Sequence, residues 1–272
     1  ASAITALTEL NSSAWIFELW FRPKIKEFLS ALDEMLVDSV LANLMTLEEI
    51  DYHAEELLYI LAQTHAVRVL NFFVARLKAA PTLESSKIEA VPYELHKVNE
   101  ALAQHPHECV EAIKPLYDEG DYAAFVCGGG RLLKNIFPAF PSDFARELSQ
   151  LVQSGRSNDI ETVLAVLRNY DGISAVAPLC LEIVDHLPLS DPLLEEVEFV
   201  LESTGVVTGE FGFAEAMEVK KQEASSWLNS DSDKIRKFAD SYVASLERRI
   251  LSERVRATES IALRKAQYGQ YD

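Results

Sequence analysis

Two histidines, a glutamate and a cysteine occur within five residues, at His105-Pro106-His107-Glu108-Cys109, and all are side chains that bind zinc. A tetrahedral zinc site needs ligands that converge from separate turns, and no second Cys or His pair follows nearby. Pro106 fits the first turn of a helix, which would place Cys109 on its apolar side. The sequence therefore predicts a helix start with a buried cysteine and no metal site.

Three consecutive glycines precede Arg131, and such a run can bind phosphate through its backbone N–H groups. The Lys-Ser/Thr ending of a P-loop is missing, however, and no strand pattern precedes Gly128. Apolar residues keep a helical phase from Tyr122 to Ile136. We expect a helix in which Gly128 to Gly130 allow a neighbouring helix to approach closely; a kink or a helix–loop–helix site is the alternative.

Two other stretches could contact a ligand or a partner. Gly205 to Gly212 (GVVTGEFG) is a Gly-rich, non-helical stretch, which is either a ligand-contacting loop or a connection between helices. Trp15 to Phe21 carries four aromatic residues in seven, too many for one core stripe. We expect them to meet a second helical layer, with an interface as the alternative.

No nucleophile elbow, catalytic carboxylate pair or Cys/His arrangement can be recognised, so the sequence predicts no enzyme and no cofactor. The three cysteines, Cys109, Cys127 and Cys180, are an odd number and fit buried thiols in a reducing compartment. We therefore expect a cytoplasmic protein.

The chain of 272 residues is 49% hydrophobic and contains only 10 Gly and 10 Pro, which argues against a sandwich or barrel. Its apolar patterns have helical period and helix length, so the predicted fold class is all-α. After a linker at Ala79–Tyr93, the predicted helices are Glu94–Gln104, Glu108–Tyr117, Asp121–Phe137, Asp143–Gln153, Asp159–Tyr170, Ile173–His186, Pro192–Ser203 and Phe213–Leu228.

The stretch from Leu57 to Leu77 is apolar enough to raise the question of a membrane span. Thr64, Arg68 and Asn71 form one polar stripe along it, and a central Arg costs roughly 2.5–3.5 kcal/mol on insertion. The sequence favours a helix buried by protein on most sides.

A short motif recurs along the chain. Leu61-Ala62-Gln63 before His65 reappears as Leu102-Ala103-Gln104-His105, with weaker copies at Leu151 and Leu201. The leucines are 41, 49 and 50 residues apart, and we expect each copy to end a helix.

This period is similar to that of HEAT and armadillo repeats. The stretch Trp227–Ala239 also resembles the second helix of a HEAT unit. The resemblance implies an irregular α-solenoid of antiparallel helix pairs, with helical repeats or a bundle over 1–80, HEAT-like repeats over 81–230 and a capping helix over 231–272. The chain looks like the C-terminal solenoid of large bacterial multidomain proteins.

The last helix is predicted from about Ser232 to Gln267, with a narrow apolar seam. Because so narrow a seam covers one neighbour only, we expect the part up to Ile250 to cap the solenoid. The part beyond Glu253 is expected to project or to pair with another chain or domain. The seam residues are Val243, Leu246, Ile250, Ala257 and Ile261.

Charge is unevenly distributed. Residues 157–219 contain thirteen acidic residues and one basic residue, a net charge of −12, whereas residues 231–268 carry nine basic and six acidic residues, a net charge of +3. We expect the acidic stretch to form one negative face that contacts a basic partner, with a merely solvated surface as the alternative. The candidate partner-binding residues are Glu195, Glu196, Glu198, Glu202, Arg254 and Arg256.

The predicted function is a non-enzymatic protein-binding scaffold or sensor module. Its expected partner is a basic protein surface or another domain of a larger parent protein. Binding to a membrane is not expected. The acidic body makes nucleic acid an unfavourable partner. The alternatives are nucleic-acid end-binding through the basic C-terminal helix, and an enzyme with a site between repeats.

Overall fold

The computed structural model describes residues 24–45, 47–79, 91, 95–118 and 125–268. Within these ranges the regular elements are helices and no strand occurs, which confirms the all-α class. The chain divides into two compact units, Ala1–Glu147 and Leu148–Asp272. The predicted three-part division and the solenoid arrangement stay predictions. The aromatic stretch Trp15 to Phe21 lies outside the described residues.

The first unit is built around one long helix. In chain order its helices are α1 (Ile25–Ser30), α2 (Glu34–Leu44), α3 (Tyr52–Ala79), α4 (His96–Leu102), α5 (Pro106–Asp118), a π-helical turn (Phe125–Gly129), α6 (Gly130–Ile136) and α7 (Ser142–Gln153), which continues into the second unit. The carboxylate of Asp33 accepts a hydrogen bond from the Leu36 N–H at 2.9 Å and so caps α2.

Helix α3 is long and apolar enough to cross a membrane by length and composition, and 56% of its most apolar window is buried inside the protein. The predicted polar stripe is present, because Thr64 and Asn71 are exposed and Arg68 forms ion pairs with Glu34 and Asp38 on α2. More than half of this window is therefore covered by other parts of the protein.

The four copies of the leucine motif all lie where a helix is interrupted. Helix α3 is kinked at His65 (φ −135°, ψ 44°), and α4 ends at Leu102, just before Pro106 opens α5. The copies at Leu151 and Leu201 end α7 and the later helix Leu193–Glu202, and each is followed by a glycine at positive φ. The expectation that each copy ends a helix is confirmed at Leu102, Leu151 and Leu201, whereas at the first copy α3 is kinked at His65 and continues to Ala79.

Two of the three glycines, Gly128 and Gly129, lie where neighbouring helices approach the chain closely. A Cβ on Gly128 would overlap the Leu77 side chain of α3, and one on Gly129 would lie 3.1 Å from Ile113 Cγ2 of α5. The expected close approach of a neighbouring helix is confirmed, although the glycines lie at a π-helical turn rather than inside one continuous helix. Arg131 donates a hydrogen bond to the backbone carbonyl of Val91 at 3.2 Å.

The second unit consists of α8 (Ser157–Leu167), a 3₁₀ turn (Ser174–Val176), α9 (Ala177–His186), α10 (Leu193–Glu202), α11 (Gly212–Trp227) and α12 (Asp233–Tyr268). Apolar side chains from all of its α-helices form the core, among them Val163, Leu179, Ile183, Val197, Ala224 and Leu246. The stretch from Gly205 to Gly212 is the connection between α10 and α11, and it has positive φ at Gly205 and Gly209.

Helix α12 matches the predicted bounds within one residue and packs along α11. Leu246, Ile250 and Ala257 of the predicted seam are buried, and Val243 and Ile261 are half-buried. The core-facing surface is wider than the seam, because it also includes Phe238, Ala239 and Tyr242.

The prediction that α12 projects beyond Glu253 is wrong as far as Arg264. Ala257 is buried, Arg254 lies 3.7 Å from Glu218 of α11, and Arg264 is ion-paired with Glu210. Arg254 and Arg264 suggested a solvent-facing helix in the sequence. In the structure they instead contact the carboxylates of Glu218 and Glu210.

Candidate functional site

The His-Pro-His-Glu-Cys segment opens α5, as predicted. Cys109 is buried with its Sγ 3.5 Å from the Leu102 carbonyl, and burial raises the pKa of its thiol. His107 Nδ1 lies 2.9 Å from Glu147 Oε2, and this hydrogen bond raises the pKa of His107. In the described ranges no group of three or more His, Cys, Asp or Glu side chains is placed to hold a metal ion.

Cys180 of α9 is also a buried free thiol, in agreement with the prediction for the cysteines. The side chain of Cys127 lies outside what the structure describes.

The four glutamates predicted on α10 point in different directions. Glu195 is exposed, and Glu196 is ion-paired with Arg168 of α8. Glu198 is half-buried, and a Glu202 oxygen lies 2.5 Å from Arg249 Nη1 of α12. These glutamates therefore do not form one continuous solvent face.

Burial raises the pKa of both Glu198 and Glu202, and the positive charge of Arg249 opposes that rise. Glu198 lies one helical turn before Glu202 and its negative charge also raises the pKa of Glu202, while Glu195 does the same to Glu198. The inner side of α10 is thus a half-buried cluster of acidic residues facing the basic helix α12.

The arginines predicted as partner-binding also have partners within this unit. Arg254 lies 3.7 Å from Glu218, and Arg256 lies 3.0 Å from Glu253. Helix α12 thus forms ion pairs with three parts of the unit: Arg249 with α10, Arg254 with α11, and Arg264 with the segment between them. A phosphate backbone would have to compete with these carboxylates for the arginines.

A narrow cleft opens where α10, α11, α12 and the turn before α9 meet. It encloses a space of about 310 Å³ measured out to open solvent, and its interior has room for about one water molecule. Lys220 and Glu223 of α11 line it, together with Ser203 after α10, Ser174 of the 3₁₀ turn and Tyr242 of α12.

Two polar atoms at this junction are buried without a hydrogen-bond partner: the Tyr242 hydroxyl and Glu202 Oε1. The Tyr242 residue is 1% exposed, and its ring stacks on those of Trp227 and Phe238 at centroid distances of 6.1 and 5.8 Å. An unpaired buried hydroxyl costs about 1–3 kcal/mol. Stacking on two sides fixes the ring, so the hydroxyl has little freedom to turn toward another partner.

Lys220 is half-buried, and burial lowers its pKa. Its neighbour Lys221 makes ion pairs with Glu218 at 3.3 Å and Glu247 at 3.6 Å. Among the described residues, no hydrogen bond or ion pair is found for Lys220. The two adjacent lysines therefore differ in their ionic contacts.

The outer side of α10 carries an exposed aromatic residue among acids. Phe199 is 61% exposed, and the guanidinium carbon of Arg168 lies 5.8 Å from its ring centroid. Val206, in the loop that follows α10, is 97% exposed. Glu195 is one helical turn before Phe199 and is exposed as well.

Sequence reasoning missed Phe199, Lys220, Glu223 and Tyr242. Phe199 lies between the predicted glutamates and its helical phase could have placed it on the Glu195 side. Lys220 and Glu223 share a face at i and i+3, which the sequence also shows. Nothing in the sequence indicates that Tyr242, from another helix, completes that face.

No protein-family model, curated protein or solved structure matches this chain. The two features of the second unit that bear on function are the outer side of α10 and the cleft beside it.

Proposed function

We propose that the chain is a non-enzymatic protein-binding module, an irregular α-solenoid of antiparallel helix pairs that binds a partner through the outer side of α10. The observation that carries this proposal is the exposure of Phe199 on a regular helix, beside the exposed carboxylate of Glu195.

The surroundings of Phe199 are ordered before any partner arrives. Arg168 is held by Glu196 and lies over the Phe199 ring, so three side chains restrain one another. Restrained aromatic side chains lose little entropy on binding, and aromatic residues with charged neighbours are typical interface anchors. The partner would offer an apolar pocket with a basic rim that meets Glu195.

The location that this proposal implies is the cytoplasm. Its support is the state of Cys109 and Cys180, which are free and buried. A partner outside a reducing compartment would not be expected for such a chain.

The proposal is tested by comparing proteins captured from a cell extract by the wild-type chain and by Phe199→Ala. The matched control is Phe213→Ala, which removes another exposed phenyl ring, from α11. We expect a partner that is lost with Phe199→Ala and kept with Phe213→Ala. Equal capture by both variants would contradict a binding surface on α10.

A second comparison tests the charge. Glu195→Lys should weaken capture at low salt more than at high salt, because exposed charges act over a Debye length of about 10 Å at 0.1 M salt. Glu215→Lys, on α11, makes the same change in net charge at another exposed glutamate. If both reversals weaken capture equally, the effect comes from net charge and not from this surface.

A further inference from the structure

One side of α12 is apolar and exposed. The helix buries Leu246 and Ile250 in the core of the second unit. On the side turned away from that core, Leu251 is 67% exposed and Val255, one helical turn later, is 50% exposed. Exposed alanines continue this side at the same helical period in both directions. The outer stripe of α12 comprises Ala244, Leu251, Val255 and Ala262.

The charged side chains of α12 fall into two groups. Most of them form ion pairs or hydrogen bonds within the second unit. For four exposed ones, no ion pair or hydrogen bond with another described residue is found. At 100° per residue, Arg248 and Glu259 border one edge of the outer stripe. Asp240 and Lys265 border the other edge.

The apolar positions are symmetric about the height of Glu253 on the helix. Leu251 precedes Glu253 by two residues and Val255 follows it by two. Ala244 precedes it by nine residues and Ala262 follows it by nine. A second copy of α12 that runs in the opposite direction would therefore place Val255 against Leu251 and Ala262 against Ala244. The small alanines at both ends leave room for the two helices to approach closely.

The four charges without an ion pair have the same symmetry. Arg248 precedes Glu253 by five residues and Glu259 follows it by six. Asp240 precedes Glu253 by 13 residues and Lys265 follows it by 12. In an antiparallel pair with a two-fold axis, each edge of one stripe meets the same edge of the other. Arg248 of each copy would thus meet Glu259 of the other, and Asp240 would meet Lys265.

We propose that two copies of this chain associate through the outer stripes of α12, which run antiparallel and are centred at Glu253. A second copy is the occupant because the two acidic and two basic side chains beside the stripe complement themselves in this orientation. In a parallel pair, each charge would instead lie beside its own copy. Near the centre Arg254 would approach its own copy, and Glu218 of α11, 3.7 Å away, offsets that repulsion.

The expected dimer is weak, because the apolar part of the stripe is short. It extends over about 27 Å, at 1.5 Å per residue from Ala244 to Ala262. Interfaces of small area belong to weak or transient associations, so the dimer should depend on concentration. This surface goes beyond the proposed function, since it includes neither Phe199 nor Glu195.

The first experiment is sedimentation velocity of the full chain from about 1 µM to about 1 mM, the range in which weak complexes form. Salt at about 0.15 M screens the repulsion between two chains of net charge −18. We expect Leu251→Glu to weaken dimerisation at least about tenfold, because it places a carboxylate in an apolar contact. The matched control is Val206→Glu, which makes the same charge change at a residue that is 97% exposed, outside α12.

The control should dimerise as the wild type does, and circular dichroism should show equal helicity in both variants. A chain that stays monomeric at every concentration would overturn the proposal and leave the stripe to a different partner. Dimerisation that Leu251→Glu does not weaken would also overturn it, because the copies would then meet through another face.

Charge reversal tests the proposed register. Arg248→Glu would bring two carboxylates together in both symmetric contacts, so we expect at least about fivefold weaker dimerisation. Adding Glu259→Arg exchanges the two charges and returns the net charge to that of the wild type. The double variant should dimerise within about twofold of the wild type. A double variant no better than Arg248→Glu alone would overturn the antiparallel register.

Disulfide formation tests the direction of the helices. Ala244→Cys and Ala262→Cys chains, one of them carrying a mass tag, are mixed under mild oxidation. We expect the mixed disulfide to form at least about fivefold faster than either like pair, because like positions lie about 27 Å apart in the antiparallel dimer. The native Cys109 and Cys180 are buried and should not compete. Faster pairing of Ala262→Cys chains with each other would indicate parallel copies and overturn the proposal.

Discussion

The crowding at Gly128 gives a stability prediction with opposing contributions. Alanine is better than glycine inside a helix by about 1 kcal/mol, so on propensity alone Gly128→Ala would stabilise the protein. The structure predicts the reverse, because the new Cβ would overlap a side-chain methyl group of Leu77, which is itself buried. Overpacking of this kind costs about 1–3 kcal/mol. The two contributions together leave an expected net destabilisation of up to about 2 kcal/mol.

The assay is urea unfolding followed by far-ultraviolet circular dichroism, with Gly212→Ala as the control. A Cβ on Gly212 would have its nearest neighbour, Val207 Cβ, at 3.4 Å, which is ordinary contact. We therefore expect Gly212→Ala to change the free energy of unfolding by less than about 0.5 kcal/mol.

A double variant isolates the contact. Leu77→Ala alone should cost about 2–5 kcal/mol through its cavity. In that background Gly128→Ala should no longer destabilise, because the overlapping side chain is gone, and the coupling should be about 1–3 kcal/mol. If Gly128→Ala stabilises the protein while Leu77 is present, α3 does not approach the glycines as described and the reasoning fails.

Three further predictions concern the C-terminal half of α12 and two titratable side chains, those of Glu202 and His107. Deleting the residues after Glu253 should lower the melting temperature, because Ala257 leaves the core; an unchanged value would mean that this half of α12 is dispensable. Burial raises the pKa of Glu202, so its contribution to stability is largest at acidic pH and is lost as the pH rises through the folded-state pKa. In urea unfolding, the free energy of unfolding should therefore fall less between acidic and neutral pH for Glu202→Gln than for the wild type. The hydrogen bond to Glu147 raises the pKa of His107, so its contribution is present below the ordinary histidine pKa and disappears as the pH rises through the raised value. His107→Asn should flatten this dependence, and a slope equal to that of wild type would count against the pair.

Helix positions were the easiest part to predict from the sequence. The predicted Asp143–Gln153 and Ser232–Gln267 lie within a residue of α7 and α12, because caps and apolar period coincide there. The kink at His65 was not predicted, since the apolar period continues across it. A helical period reports which face is buried and says little about a local change in backbone angle.

The candidate site was harder, because its parts come from separate helices. The acidic and basic stretches were visible as net charge, but the sequence did not show that Glu202 meets Arg249 and Glu218 meets Arg254. As a result, residues expected to bind an outside partner bind each other. Tyr242 was missed for the same reason: its hydroxyl matters only because of where α10 and α11 place their side chains.

The pairing of α10 with α12 has a consequence for the order of events during synthesis. The ribosome makes Glu198 and Glu202 well before Arg249, and segments begin to fold in the order in which they are made. Until α12 has emerged, these carboxylates lack their cationic partner and would keep their hydration. Arg249 follows Glu202 by 47 residues, so the pairing of α10 with α12 can form only after those residues have been added. During that period the acidic side of α10 stays open to basic molecules in the cell.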